Sequence, residues 1–167
     1  MNANKTTAKQ DLVITRVFDA PIEQVWQAWS ESDQVMQWWG PTYFSCPLAQ
    51  IDFREGGVSL LAMRPPKEFG DQDLYSIWEY RKIVPLERID YVHNLSDANG
   101  SKIDPTTINM PPDFPTNQPH TITFKALSPS QTELTVTEHE WPVGQMMEMS
   151  RMGMEQCLDK MAALFAA

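Results

Sequence analysis

The sequence "DLVITRVFDAPIEQVWQAWSESDQVMQWWGP", residues 11–41, is the most informative about the fold, because the spacing of its apolar residues changes along its length. At first the period is two: Leu12, Ile14 and Arg16 fall on one side of a strand and the residues between them on the other. The sequence Asp-Ala-Pro at residues 19–21 is typical of a helix start, because proline is tolerated in the first helical turn. We therefore expect a strand that leads directly into a helix.

Two short helices are predicted in the second half of this stretch. The first has one apolar face, which consists of Ile22, Val25, Trp26 and Trp29. The second has Ser30 or Ser32 as its capping residue and ends at the Trp38–Trp39 pair. Gly40 suits the left-handed conformation that follows a helix end, and Pro41 prevents the helix from continuing.

The rest of the chain is predicted to be strands followed by one long helix. The strand-like segments are residues 43–54, 58–64, 74–84, 88–95, 120–127 and 132–141. Residues 96–119 are rich in proline and polar residues and indicate a long loop, and residues 143–165 have helical spacing throughout. This order favours the α+β class, with a curved antiparallel sheet wrapped around the C-terminal helix. A twisted sheet that curls around a helix leaves space for a ligand.

The composition indicates a globular protein rather than a nucleic-acid-binding one. Of the 167 residues, 42% are hydrophobic and 21% charged, and we expect a single domain at residues 11–167 after a polar tail at residues 1–10. The net charge of −9 argues against a nucleic acid or an anionic membrane as partner. No signal peptide or membrane span is recognisable, and the two cysteines are far apart, so a cytoplasmic protein with free thiols is predicted.

Four segments resemble a known family in their order along the chain. They are "ITRVFDAPIEQVWQAWSESDQVMQWWGP", "IDFREGG", "RKIVPLERIDY" and "RMGMEQCLDKMAALFA". They are similar to the activator of heat-shock protein 90 ATPase homologue family, which belongs to the START-like, or SRPBCC, superfamily. The resemblance implies the helix-grip fold for the domain and a cavity that holds a hydrophobic small molecule, in a stress-response or metabolic role. A minority of that superfamily are enzymes such as polyketide cyclases, and the eukaryotic namesake stimulates a chaperone ATPase.

Aromatic and methionine residues fall where the helix-grip cavity is expected. The predicted ligand-binding residues are Trp39, Phe44, Met63, Trp78, Tyr80, Met110, Phe114, Met146 and Met149. Within the tryptophan pair, we expect Trp38 to pack against the first helix and Trp39 to face the ligand. Gly153 lies in the middle of the long helix, where glycine costs about 1 kcal/mol relative to alanine. Close approach of a strand is the favoured explanation, and a ligand passing over the helix is the alternative.

The last hairpin carries a group of residues suited to acid–base chemistry. If its apolar residues face inward with Phe124 opposite Val136, a three-residue loop remains and His120 becomes a diagonal neighbour of Glu138. In the preceding strand, His93 shares a face with Ile89, Tyr91 and Leu95, so we expect it to face the same space. His93, His120 and Glu138 are therefore the candidate catalytic residues. No zinc-binding pattern accompanies them, so no metal and no cofactor are predicted.

Three functions are open at this point. The first is binding of a small hydrophobic molecule, by a monomer or homodimer. The second is a cyclase- or hydrolase-like enzyme that uses the pocket histidines and glutamate. The third is a module that stimulates a chaperone ATPase, with that chaperone as its partner.

Overall fold

A single curved antiparallel sheet grips one long helix. The computed structural model describes residues 8–166, in which seven strands have the order β1-β7-β6-β5-β4-β3-β2. The elements are β1 Lys9–Phe18, α1 Ile22–Ser30, α2 Ser32–Trp38, β2 Ser45–Gln50, β3 Val58–Arg64, β4 Leu74–Val84, β5 Arg88–Ser96, β6 Gln118–Ser128, β7 Gln131–Pro142 and α3 Gln145–Phe165. Short 3₁₀ helices cover Lys67–Phe69 and Pro105–Ile108. The predicted α+β class and helix-grip arrangement are confirmed.

The first strand begins earlier than predicted. It starts at Lys9, and the backbone oxygen of Ala8 accepts a hydrogen bond from Val143 N at 2.9 Å. The last residues of the predicted polar tail therefore belong to the sheet, next to the start of α3. Residues 1–7 of that tail lie outside the described residues.

The cap predicted for α2 is wrong. The N-cap residue is Glu31, whose side chain makes no capping hydrogen bond. Ser32 Oγ instead accepts a hydrogen bond from Ile51 N at 3.1 Å, which joins α2 to the segment after β2. The end of α2 is as predicted, since Gly40 has φ +106° and a Cβ there would lie 3.1 Å from the Cβ of Phe44.

Trp38 fastens α2 to α1, as its position predicts. Its indole Nε1–H donates to the backbone oxygen of Ala28 at 2.7 Å, and its ring lies 4.6 Å from that of Trp29, centroid to centroid. The side chain is fully buried. The two short helices therefore form one unit at the end of the sheet, and the segment after Gly40 leads from them into β2.

The register of the last hairpin differs from the prediction by two residues. Phe124 lies opposite Leu134, and His120 lies directly opposite Glu138, with a two-residue connection at residues 129–130. A shift of two residues keeps every side chain on its own face of the sheet. The alternation of apolar residues therefore does not distinguish the two registers, and the loop length assumed in the prediction was the error.

Candidate functional site

A cavity of about 310 Å³ lies between the concave face of the sheet and α3, and we call it the sheet–helix cavity. Its apolar lining consists of Pro41, Phe44, Met63, Leu74, Met110, Phe114, Trp141, Met146, Met149 and Met154, together with Gly153 and the thiol of Cys157. Its polar lining consists of His93, Gln118, His120, Glu138 and Ser150. Met149 is 55% exposed, so the cavity reaches the protein surface beside the first turns of α3.

The cavity includes most of the predicted ligand-binding side chains. Those that line it are Phe44, Met63, Met110, Phe114, Met146 and Met149. Met110 and Phe114 belong to the long segment between β5 and β6, so this predicted loop forms one wall of the cavity. The left-handed residues Asn109 (φ +65°) and Asn117 (φ +49°) bracket that wall.

Trp39, Trp78 and Tyr80, which were predicted from the sequence to line the cavity, do not line it. They form an aromatic layer of the core: Trp78 is stacked on Tyr91 at 4.6 Å, and Trp39 meets the edge of Trp78 at 5.3 Å. The hydroxyl of Tyr80 is hydrogen-bonded to Ser59 Oγ at 2.8 Å. Tyr80 joins this layer through Tyr91, whose ring centroid lies 6.2 Å from its own, and rings packed in this way leave no room for a ligand between them.

Gly153 borders the cavity instead of a strand. Apart from the backbone of its own helix, no heavy atom of residues 8–166 would lie within 4 Å of a Cβ placed on it, so the favoured explanation of close strand packing is wrong. Gly153 lies on the face of α3 that lines the cavity. The glycine therefore leaves open the volume that a side chain would occupy.

His120 sits in a row of directly paired residues on the concave face. It lies opposite Tyr91 on β5 and Glu138 on β7. Its Nδ1 is 3.2 Å from the hydroxyl oxygen of Tyr91, and its Nε2 is 3.0 Å from Oε1 of Gln118. The Gln118 amide is oriented by its Nε2–H, which donates to the backbone oxygen of His139 at 3.0 Å. Nε2 of His120 is therefore the protonated nitrogen, and Nδ1 accepts from the tyrosine hydroxyl.

Glu138 owes its surroundings to an irregularity in β7. The register with β1 shifts between Leu12 and Gln10, and Glu140 adopts φ +59°. Asp11 Oδ1 accepts from the backbone N–H of Glu140 at 3.1 Å and so holds this bulge. The bulge turns Trp141 inward, where its Nε1–H donates to Oε1 of Glu138 at 2.8 Å.

The carboxyl group of Glu138 is also bound to α3. The hydroxyl of Ser150 donates to the same Oε1 at 2.7 Å. The side chain is only 3% exposed, and burial raises the pKa of Glu138 above its usual value, against the opposing effect of these two donors. Sheet and helix are thus joined at one buried oxygen, on the wall of the cavity.

His93 is the least satisfied polar group of the site. Its ring is stacked on that of His120 at 5.2 Å with an interplanar angle of 10°, and its Nδ1 has no hydrogen-bond partner in the part of the chain that the structure describes. Burial lowers the pKa of His93 and of His120 to about 3, so both rings are neutral near pH 7. No thiolate accompanies them, because burial raises the pKa of Cys157 to about 12.

The three predicted catalytic residues share one cavity but form no relay. Within residues 8–166, no hydrogen bond joins any two of His93, His120 and Glu138. Residues 8–166 also contain no group of three or more His, Cys, Asp or Glu side chains arranged to hold a metal ion. What this polar wall offers is hydrogen bonding to a bound molecule in an otherwise apolar space.

Several lining residues were missed by sequence reasoning. Gln118 lies two residues before His120 and shares its face, so the alternation of β6, extended by two residues, would have found it. Ser150 fits the three- and four-residue spacing of the inward-facing residues of α3, so that spacing could have found it. Trp141 was hidden, because simple alternation along β7 places Glu140 rather than Trp141 on the inner face, and only the bulge reverses this.

Comparison with known proteins supports the family suggested by the sequence. The profile of the family described as activator of Hsp90 ATPase homolog 1-like protein matches residues 19–166. No curated protein matches the chain. Among residues 8–166, no helix is long and apolar enough to cross a membrane.

Solved structures with the same fold are numerous. The chain is similar to a Chromobacterium violaceum protein at 25% identity, with 94% of this chain and 97% of that one covered and a TM-score of 0.75. An AHSA1 protein from Silicibacter pomeroyi matches at 18% identity over 94% of this chain and 98% of that one, with a TM-score of 0.74. A Staphylococcus epidermidis protein matches at 23% identity over 96% and 93%, with a TM-score of 0.73. These structures share the fold, and because the family profile spans residues 19–166, the chain belongs to the activator of Hsp90 ATPase homolog 1-like family.

Proposed function

We propose that this protein binds a small hydrophobic molecule in the sheet–helix cavity. The observation that carries the proposal is the space left open at Gly153, in the middle of a helix that otherwise packs on the sheet. The cavity of about 310 Å³ stands at the small end of the range of ligand pockets, which suits a molecule of one or two rings.

The chemistry of the lining also suits such a molecule. Met63, Met110, Met146 and Met149 approach the cavity from β3, from the β5–β6 segment and from α3. Unbranched thioether side chains adjust to different shapes at low cost, so they can close around a ligand that does not fill the space evenly. The methionines therefore support binding of an apolar body rather than of a highly polar metabolite.

The test is binding of the neutral fluorescent probe N-phenyl-1-naphthylamine, whose emission rises in apolar surroundings. We expect the wild-type protein to bind it with 1:1 stoichiometry. The variant Gly153→Leu places a side chain in the open space and should abolish binding. Met152→Leu is the matched control, because Met152 is 61% exposed on the same helix and does not line the cavity.

Binding that survives Gly153→Leu places the probe elsewhere on the surface and contradicts the proposal, as does an absence of binding by the wild type. Native mass spectrometry of protein purified from its own host then identifies the molecule that occupies the cavity in the cell. The chaperone partner, the cyclase- or hydrolase-like activity and the cytoplasmic location stay predictions from the sequence.

A further inference from the structure

The polar wall of the sheet–helix cavity holds a carboxyl group without a basic partner. Glu138 is the only acidic side chain that lines the cavity among residues 8–166, and no lysine or arginine of those residues lines it. Burial already disfavours the ionised form of Glu138 and raises its pKa, and a ligand with a carboxylate or phosphate head would bring a further negative charge to this wall with no lining cation to balance it. Such anionic ligands fit this cavity poorly.

The hydrogen bonds of Glu138 leave one of its oxygens available. The donors from Trp141 and Ser150 both reach Oε1, at 2.8 and 2.7 Å. Within residues 8–166, no hydrogen bond to Oε2 is formed. Oε2 is not among the buried polar atoms that lack a partner, so it is accessible from the cavity, where a bound molecule can donate a hydrogen bond to it.

The neighbouring polar groups do not supply that donor. Both ring nitrogens of His120 are engaged with Tyr91 and Gln118. His93 has the buried Nδ1 without a partner and forms no hydrogen bond with the carboxyl group. Among residues 8–166 no donor therefore reaches Oε2, and a bound ligand can supply one.

We propose that the ligand is an amphipathic amine whose N–H groups donate to Oε2 of Glu138, while its apolar body lies among the cavity methionines. This inference rests on the proposed function and adds the head group to it. An ammonium group supplies a donor and also a positive charge, which favours the ionised form of the buried carboxyl group beside it, whereas an alcohol supplies only a donor. The net charge of −9 also favours the approach of a cation over that of an anion.

The test compares three naphthyl compounds that share an apolar body and differ in the head group. They are 2-(1-naphthyl)ethylamine, 2-(1-naphthyl)ethanol and 1-naphthaleneacetic acid, titrated calorimetrically at neutral pH. We expect the amine to bind the wild type about tenfold more tightly than the alcohol or better, and the acid to bind weakest.

The variant Glu138→Gln isolates the carboxyl group. Glutamine keeps the oxygen that accepts from Trp141 and Ser150 but presents an NH₂ group in place of Oε2. The preference for the amine should therefore disappear, while binding of the alcohol persists and shows that the cavity is intact. Glu155→Gln is the control, because Glu155 is exposed on α3 and its side chain does not line the cavity. It should keep the full preference.

The failure of this inference is distinguishable from that of the proposed function. Equal binding of the three heads overturns the inference and leaves hydrophobic binding standing, and so does an unchanged preference in Glu138→Gln. If N-phenyl-1-naphthylamine binds but the naphthyl amine does not, the inference also fails. If none of the four compounds binds, the proposed function fails with it.

Discussion

Replacement of Gly153 by alanine should make the protein more stable. Glycine in a helix interior costs about 1 kcal/mol relative to alanine. Outside its own helix backbone, the added Cβ meets no heavy atom of the described residues within 4 Å, so no steric cost opposes this gain. We therefore expect the free energy of unfolding to rise by about 1 kcal/mol, which for a chain of this size raises Tm by roughly 2–4 °C.

Urea unfolding followed by tryptophan fluorescence measures this effect. The pair Met152→Gly and Met152→Ala calibrates it, because Met152 is the exposed neighbour on the same helix. The alanine–glycine difference should be the same at both positions. A Gly153→Ala variant that is less stable than the wild type would contradict this prediction, because it would mean that a neighbouring atom occupies the space assigned to the cavity.

Three further predictions concern the core and the polar wall. Trp38→Phe leaves the buried backbone carbonyl of Ala28 without its donor and should lower the free energy of unfolding by about 1–3 kcal/mol. Trp39→Phe should lower it less, because the buried Nε1 of Trp39 has no partner among the described residues; urea unfolding that ranks the two variants the other way contradicts this. The lowered pKa values of His93 and His120 predict that their ¹⁵N imidazole shifts stay those of neutral rings between about pH 7 and 5; a ring that titrates near pH 6.5 would be solvated and would contradict this. The contribution of each ring to the free energy of unfolding is full above about pH 6.5 and falls by about 1.4 kcal/mol per pH unit as the pH drops toward 3. Gly57→Ala should lower Tm, because its Cβ would clash with the backbone oxygen of Asp52; an unchanged Tm would contradict this and show that the turn relaxes freely.

The sequence was sufficient where local chemistry and burial agree. The predicted strands at residues 58–64 and 74–84 coincide with β3 and β4, because apolar and aromatic runs there are bounded by glycine and proline. The left-handed Gly40 was likewise predicted from helix termination, and the anchoring role of Trp38 from helix spacing together with the family resemblance.

The site was harder to predict because it depends on small shifts between strands. The inner face of β6 and β7 was correct, but the two-residue register difference and the bulge at Glu140 determine which side chains meet. Trp78 also illustrates the difficulty. Residues that fill a core and residues that line a cavity have the same apolar character and the same spacing, so only the packing itself separates them.

Binding of a ligand in the sheet–helix cavity is the central proposal, and the methyl groups of the methionines that line the cavity can report it. In a ¹³C-methyl NMR titration with 2-(1-naphthyl)ethylamine, the resonances that should shift are those of Met63, Met110, Met146, Met149 and Met154. Those of the exposed Met36 and Met152 should not move. Shifts confined to Met36 or Met152, or no shifts at all at saturating amine, would contradict the account.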